Sequence, residues 1–439
     1  MTAASDSMPS RTPSSTPTAS AAGSAASGAV PLPPPPAFGS RSIADVLPSC
    51  AAALGAQGFP NPLAIPASSR ICLVMVDGLG RNLLSKRTAH TPFLREKLSA
   101  GQGAIPETLD AAFPSTTAAS LASLGTGVPP GQHGMVGYDV YAPHLDRVVN
   151  QLNGWDPDVD PQRWQPCPTI FERIHPDIHV ATVSLPQFEG SPMTRAALRG
   201  GEFIGAVSLH ARTTAAAEAM AAHPRMLAYF YLNELDKAGH QYGWTSAEWT
   251  VALEEVDSSL RRLDAQLPAG TLILVVGDHG MVDIAPSRRL DIGADPSLTE
   301  GVRHTAGEPR MVHLHVEPPR NGRGAGHPAE DDAAYDAAVA AVAARWRERL
   351  GNQTWILTRR EAIDHGLFGP VVTESVHARI GDLIVAVHGD VALYDGRRVR
   401  PQAFEMVGQH GSWTKAERHV PLIAFRARGR VQGKRSGRG

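Results

Sequence analysis

Six residues at the ends of apolar runs carry the candidate chemistry of this chain: Asp77, Asp236, His240, Asp278, His279 and His410. ICLVMVDG, from Ile71, is a short and nearly unbroken apolar run ending in Asp77-Gly78, the pattern of a strand buried on both faces. RMLAYFYLNELD (225–236) repeats it and ends at Asp236, with His240 one helical turn further on, so that a helix would set both on one face. TLILVVGDHG (271–280) closes on Asp278-His279, and His410 lies in GQHGSW just ahead of a last strand-like run, HVPLIAF. Singly, each is weak: Asp-Gly after a strand is ordinarily a turn, Asp-x-x-x-His a surface pair, and one loop histidine nothing more. Together they bring three carboxylates and three imidazoles to one expected edge, because function in open α/β sheets collects at the carboxyl ends of the strands. Hard oxygen and borderline nitrogen donors in that mixture suit Zn²⁺ or a similar divalent ion, Mn²⁺ included. Their number suits two ions, the standard device for phosphoryl transfer.

A nucleophile belongs on a different segment. FPSTTAASLASLGTG (113–127) has no charge and crowds together Ser115, Thr116, Thr117, Ser120, Ser123 and Thr126. A threonine hydroxyl is a poor nucleophile at neutral pH and needs a base or a metal to activate it. No Gly-x-Ser-x-Gly elbow points to a Ser-His-Asp hydrolase instead. A threonine at a helix N-terminus facing a metal would meet the need, and the helix's free N–H groups and positive end would face phosphate oxygens.

The elements that must position these groups alternate strand and helix. Between the second and third apolar runs, SAEWTVALEEVDSSLRRLDAQL sets Trp249, Leu253, Val256, Leu260 and Leu263 at helical spacing, with Ser246 as its N-cap. Strand, helix, strand in this order predicts an α/β fold with a mostly parallel central sheet and helices on both faces. Residues 290–372 read as a small α+β insertion: MVHLHVE a strand, DDAAYDAAVAAVAARWRERL a helix, TWILTRREAIDHG a strand with a following turn. The core then spans 41–289 and 373–428, returning through GDLIVAV and HVPLIAF. The Ser/Ala/Pro-rich residues 1–40 and the basic residues 429–439 read as disordered tails.

Composition narrows the class. With 439 residues, 42% hydrophobic and 19% charged, the chain suits a soluble globular protein. A net charge of -2 gives no expectation of specific nucleic-acid binding, and no apolar run approaches the ~20 residues of a membrane span. Three cysteines (Cys50, Cys72 and Cys167) without CxxC spacing exclude a disulfide framework. With no secretory signal pattern at the N-terminus, they lead to the expectation of a cytoplasmic protein acting on a small-molecule phosphoester.

VMVDGLG, FPSTTAASLASLGTGVPPGQHG, LNELDKAGH, VVGDHGM and GQHG, in that order and spacing, resemble the alkaline phosphatase superfamily, and within it the nucleotide pyrophosphatase/phosphodiesterase (type I phosphodiesterase) family. The resemblance covers roughly residues 70–285 and 375–427. It implies two zinc ions, one held by Asp236, His240 and His410, the other by Asp77, Asp278 and His279 with the nucleophile bridging to it. In the superfamily the nucleophile stands at fixed distances before a Thr-Gly and a His-Gly pair. Counting back from Thr126-Gly127 and from His133-Gly134 converges on Thr117, with Thr116 as the fallback. Ser120 and Ser123 then fall inside the helix, where they bond backbone or pack.

Two departures bear on substrate. Phosphodiesterases of this group carry an asparagine shortly after that His-Gly, donating to a phosphoryl oxygen; here the position is Tyr138, the expected substrate contact. No arginine matches the phosphate clamp of the monoesterases, which favours diesters. The resemblance thus implies a phosphodiesterase acting through a phospho-threonine intermediate, with a monoesterase or phosphomutase of the same superfamily, or an inactive phosphoester-binding relative, as the alternatives. A sulfatase would need Cys or Ser where Thr117 stands. In VRHTAGEPR, His304, Glu308 and Arg310 are candidates to reach the substrate from the insertion.

Overall fold

Arg70–Val76 alternates its side chains between two apolar layers: Ile71, Leu73 and Met75 enter one cluster, Cys72, Val74 and Val76 the other. A strand with core on both faces needs no polar alternation, which is why the segment reads as an unbroken apolar run. The structure is a computed structural model that describes residues 30–152, 154–318 and 333–429. From Leu32 onward the described residues form one compact unit.

The central sheet has seven strands in the order Thr108–Asp110, His419–Arg426, Leu272–Gly277, Arg70–Val76, Met226–Leu232, His179–Ser184 and Glu202–Gly205. Arg70–Val76 lies parallel to both Met226–Leu232 and Leu272–Gly277, and His419–Arg426 runs antiparallel beside the latter. Helices cover both faces. Ala247–Gln266 buries Trp249, Leu253, Val256, Leu260 and Leu263 in one layer, and Ser246 caps it by accepting from Trp249 N at 3.1 Å. Thr117–Thr126 buries Ala118, Ala119, Leu121, Ala122 and Leu124 in the other.

A second, antiparallel sheet orders Val302–Glu308, Met311–Val316, Leu383–Val387 and Thr354–Thr358. Leu383–Val387 is the GDLIVAV run, read from sequence as a return to the central sheet. It is a strand of this smaller sheet instead. Leu383, Val385 and Val387 pack toward the Ala333–Leu350 helix cluster, while Ile384 and Ala386 face the main core. Burial on both faces gives it the composition of a central strand without that position. After Thr354–Thr358 the chain enters a short helix, Arg359–Asp364, rather than a turn: Thr358 and Glu361 close a capping box at 3.1 and 2.7 Å.

Residues 1–29 of the expected N-terminal tail and 430–439 of the C-terminal one lie outside the described residues. The expected tail ran to residue 40, but its last residues are held: Trp413 Nε1 donates to Pro34 O at 2.7 Å and His365 Nε2 to Pro33 O at 2.9 Å. Among the described residues no helix is long and apolar enough to cross a membrane, and the three cysteines are free.

Candidate active site

The parallel strands deliver their carboxyl ends to one place. Asp77 follows Arg70–Val76, and its N–H donates to Leu232 O at 2.8 Å, locking the turn to the end of the neighbouring strand. Gly78 makes that turn with φ +75°, and a Cβ there would stand 3.1 Å from Asp236. Asp236 and His240 lie one turn apart on the helix Glu234–Tyr242, with His240 Nε2 3.5 Å from Asp236 Oδ2. Asp278 and His279 follow Leu272–Gly277. The loop carrying His410 is pinned to the hydroxyl-rich segment: Ser115 N donates to Gly411 O, and Ser115 Oγ donates to Ser412 O at 2.6 Å.

The six predicted ligands fall into two triads. In each, one donor atom per residue lies within 4.8 Å of the others: Asp77, Asp278 and His279 in the first, Asp236, His240 and His410 in the second. The triads adjoin, since the rings of His279 and His410 stack with centroids 3.5 Å apart. Thr117 is the first residue of its helix, with Thr116 as N-cap. Its Oγ1 stands 3.2 Å from His279 Nε2 and 3.5 Å from Asp77 Oδ1.

The donor set fits divalent cations. A backbone carbonyl can only accept, so the Nδ1 of each histidine facing one carries its hydrogen: His240 to Gly408 O at 2.8 Å, His279 to Gly280 O at 3.0 Å, His410 to Ser115 O at 2.9 Å. All three rings therefore turn Nε2 toward the cluster, as metal-ligating histidines do. His410 Nε2 and His240 Nε2 lie 3.3 Å apart, close to the separation of about 3.3 Å between two nitrogens bound tetrahedrally to one zinc ion. Asp236 Oδ1 and Asp278 Oδ2 are buried without a hydrogen-bond partner among the described residues.

Electrostatics point the same way. Burial first, then the charge of Asp77, pushes Asp278 well above the ordinary carboxylate range. Burial also opposes charge on Asp77, but the hydrogen bond and charge of His279, with the Tyr231 hydroxyl, hold it below that range. Burial would depress His279, yet Asp278 and Asp77 raise it to about 10. Three carboxylates thus draw positive charge onto one desolvated point.

The other candidates divide. Tyr138 lines the cavity, of about 1830 Å³, that also contains Asp77, Thr117 and Asp236. Glu308 reaches it too, accepting from Tyr138 N at 2.9 Å, and Gly411 lies so close that a Cβ there would meet Glu308 Cγ at 2.3 Å. Arg310 does not: it is bound to both oxygens of Glu417 and to the carbonyls of Gly389 and Val391, a buried strut. His304 pairs with Asp146 at 3.0 Å and stacks on Tyr141. Ser120 donates to Asp278 O at 2.8 Å, and Ser123 contacts His133 Nε2 at 2.9 Å, so both support the site from behind. Sequence reasoning missed Tyr231, whose hydroxyl donates to Asp77 Oδ2. Its signal was present: two tyrosines, Tyr229 and Tyr231, two apart in a strand otherwise apolar.

Comparison with known proteins gives the family and the fold. A family profile described as type I phosphodiesterase / nucleotide pyrophosphatase matches residues 71–413. Murine ectonucleotide pyrophosphatase/phosphodiesterase 5, an inactive threonine-to-alanine variant in complex with AMP, superposes with TM-score 0.59 at 15% identity, covering 83% of this chain and 90% of that one. The human counterpart gives 0.56 at 15% identity, covering 82% and 90%. At that identity the likeness is one of fold, an α/β core with a large central sheet flanked by helices.

Proposed function

From the premise that this chain belongs to the type I phosphodiesterase / nucleotide pyrophosphatase family, we propose that it hydrolyses phosphodiesters with Thr117 as the nucleophile. The observation that carries the reading is the place of Thr117 Oγ1, at a helix N-terminus and 3.2 Å from His279 Nε2 in the first triad. In the murine relative the threonine-to-alanine variant is inactive and its structure holds AMP; the proposal extends that dependence to Thr117 and a nucleotide-class phosphoester to this cavity.

In this reading Asp236, His240 and His410 hold one divalent cation, and Asp77, Asp278, His279 and Thr117 another, zinc by preference and manganese as the substitute. Bound there, such ions supply Lewis acidity that favours the threonine alkoxide and offsets charge on phosphoryl oxygens. The chain does the rest. The first-turn N–H groups of the Thr117–Thr126 helix face the phosphoryl oxygens. Thr117 Oγ attacks phosphorus in line, the bond to the leaving alcohol breaks, and water then cleaves the phospho-threonine to release a monoester. Tyr231 fixes the orientation of Asp77, the Nδ1 hydrogen bonds fix the three imidazoles, and Tyr138 contacts the substrate where related enzymes use asparagine.

The test compares bis-p-nitrophenyl phosphate with p-nitrophenyl phosphate on protein with and without chelator. Chelator-sensitive turnover that favours the diester is expected. No metal-dependent turnover of either ester would sink the hydrolase reading, and a strong monoester preference would sink the diesterase.

A further inference from the structure

A second polar wall lines the same cavity, and of its four residues only Tyr231 has a part in the hydrolysis just described. Thr182 and Ser184 stand on the strand His179–Ser184, Tyr229 and Tyr231 on its parallel neighbour Met226–Leu232, with Thr182 directly beside Tyr229. Side chains two apart on a strand share a face, so the four hydroxyl-bearing side chains stand two by two near the carboxyl edge of the sheet. All four line the cavity. The opposite face of the two strands is apolar, with Ala181, Val183, Ala228 and Phe230 in the core.

Tyr231 spends its hydroxyl on Asp77. The other three do not find such a use: Thr182, Ser184 and Tyr229 are 4%, 2% and 1% exposed, and their hydroxyl oxygens have no hydrogen-bond partner among the described residues. The rings of Tyr229 and Tyr231 stack with centroids 6.3 Å apart, so the patch begins one side chain away from the Asp77 carboxylate beside Thr117. Around it the lining is apolar: Leu121, Leu198 and Phe203, with Phe188 edge-on to Tyr231 at 5.9 Å.

We propose that this patch is the subsite for the alcohol portion of the phosphoester, and that this alcohol carries several hydroxyls, as a sugar or another polyol does. The proposal rests on the hydrolase reading above. Each of the three hydroxyls offers one hydrogen and two lone pairs, and a polyol returns both kinds of group in a small volume. A hydrocarbon chain would leave three buried hydroxyls unanswered, which is unfavourable. A few placed polar groups within an apolar rim are the ordinary composition of a small-molecule subsite.

Calorimetric titration of the zinc-loaded Thr117→Ala protein with α-glucose 1-phosphate and with n-hexyl phosphate isolates the alcohol, because the phosphate is common to both. The glucose ester should bind at least about tenfold more tightly, and Tyr229→Phe or Thr182→Val should each weaken it by about three- to tenfold, the worth of one hydrogen bond. The hexyl ester should bind these variants as well as before or better, and their melting temperatures should not fall. Equal or tighter binding of the hexyl ester, equal weakening of both esters, a glucose preference that survives both substitutions, or no binding of either ester overturns the assignment. Turnover of bis-p-nitrophenyl phosphate by the unsubstituted protein reads the hydrolase assignment separately, so the two can fail independently.

Discussion

Two kinds of histidine held by the fold are built into this molecule. His133 and His313 have both ring nitrogens answered by the protein. His133 Nδ1 accepts from Met135 N at 3.1 Å, so its Nε2 donates to Ser123 Oγ; His313 Nε2 donates to Val136 O at 2.9 Å and Nδ1 accepts from Gly381 N at 3.0 Å. His240, His279 and His410 use backbone carbonyls only at Nδ1, and turn Nε2 toward carboxylates, toward Thr117 Oγ1 or toward one another. Burial alone therefore does not mark a functional histidine. The first kind is finished by folding, whereas the second is oriented by folding and left with a lone pair to give.

That contrast can be broken experimentally. The largest effects belong to the cavity: Thr117→Ala and His279→Ala should each lower kcat/KM for a diester by about 10³-fold or more, with the folded state retained. Zinc should stay bound in Thr117→Ala, as measured by metal analysis. If Thr116→Ala proves to be the dead variant, the nucleophile is misassigned by one position. Next, His410→Ala should lose one ion of the two, because only Asp236 and His240, both partly exposed, remain of that triad; retention of both would remove His410 from the ligand set.

The structural kind should behave in the opposite way. His313→Ala should cost about 3 kcal/mol of stability in denaturant titration, through a cavity and two unanswered backbone groups, while turnover per folded molecule persists. A further effect is one of pH. Burial first, then Arg379, lowers His133 to about 3, and burial lowers His313 to about 4. Because these folded values lie below the unfolded value of about 6.5, their contribution is fully present above that pH and fades as pH falls toward 4 and then 3. Thermal melts across that range should show the loss, and His133→Gln should flatten part of it.

Much of the site was legible because its parts fall where chain direction alone puts them. Asp77, Asp236 and Asp278 each follow a parallel strand, and parallel strands end on the same side. Tyr231 and the Thr182–Ser184 face were not, because alternation says that two residues share a face without saying which face meets the cavity. Leu383–Val387 was misplaced for a related reason: an apolar run reports burial on both faces and is silent about which sheet provides it. The tail boundary failed at Pro33 and Pro34, where carbonyl groups rather than side chains make the contacts. Composition does not register a carbonyl.

The bridge between Ser115 and Gly411 has a consequence for biosynthesis. A ribosome-bound chain contains every residue of the Asp77, Asp278 and His279 triad once it passes residue 279, yet Asp236 and His240 must wait for His410, made after the entire smaller sheet. The second triad thus closes last, and its closure depends on the smaller sheet having been accommodated. Occupancy of that triad would report that the chain had been made past residue 410 and that the His410 loop had reached its place beside Ser115.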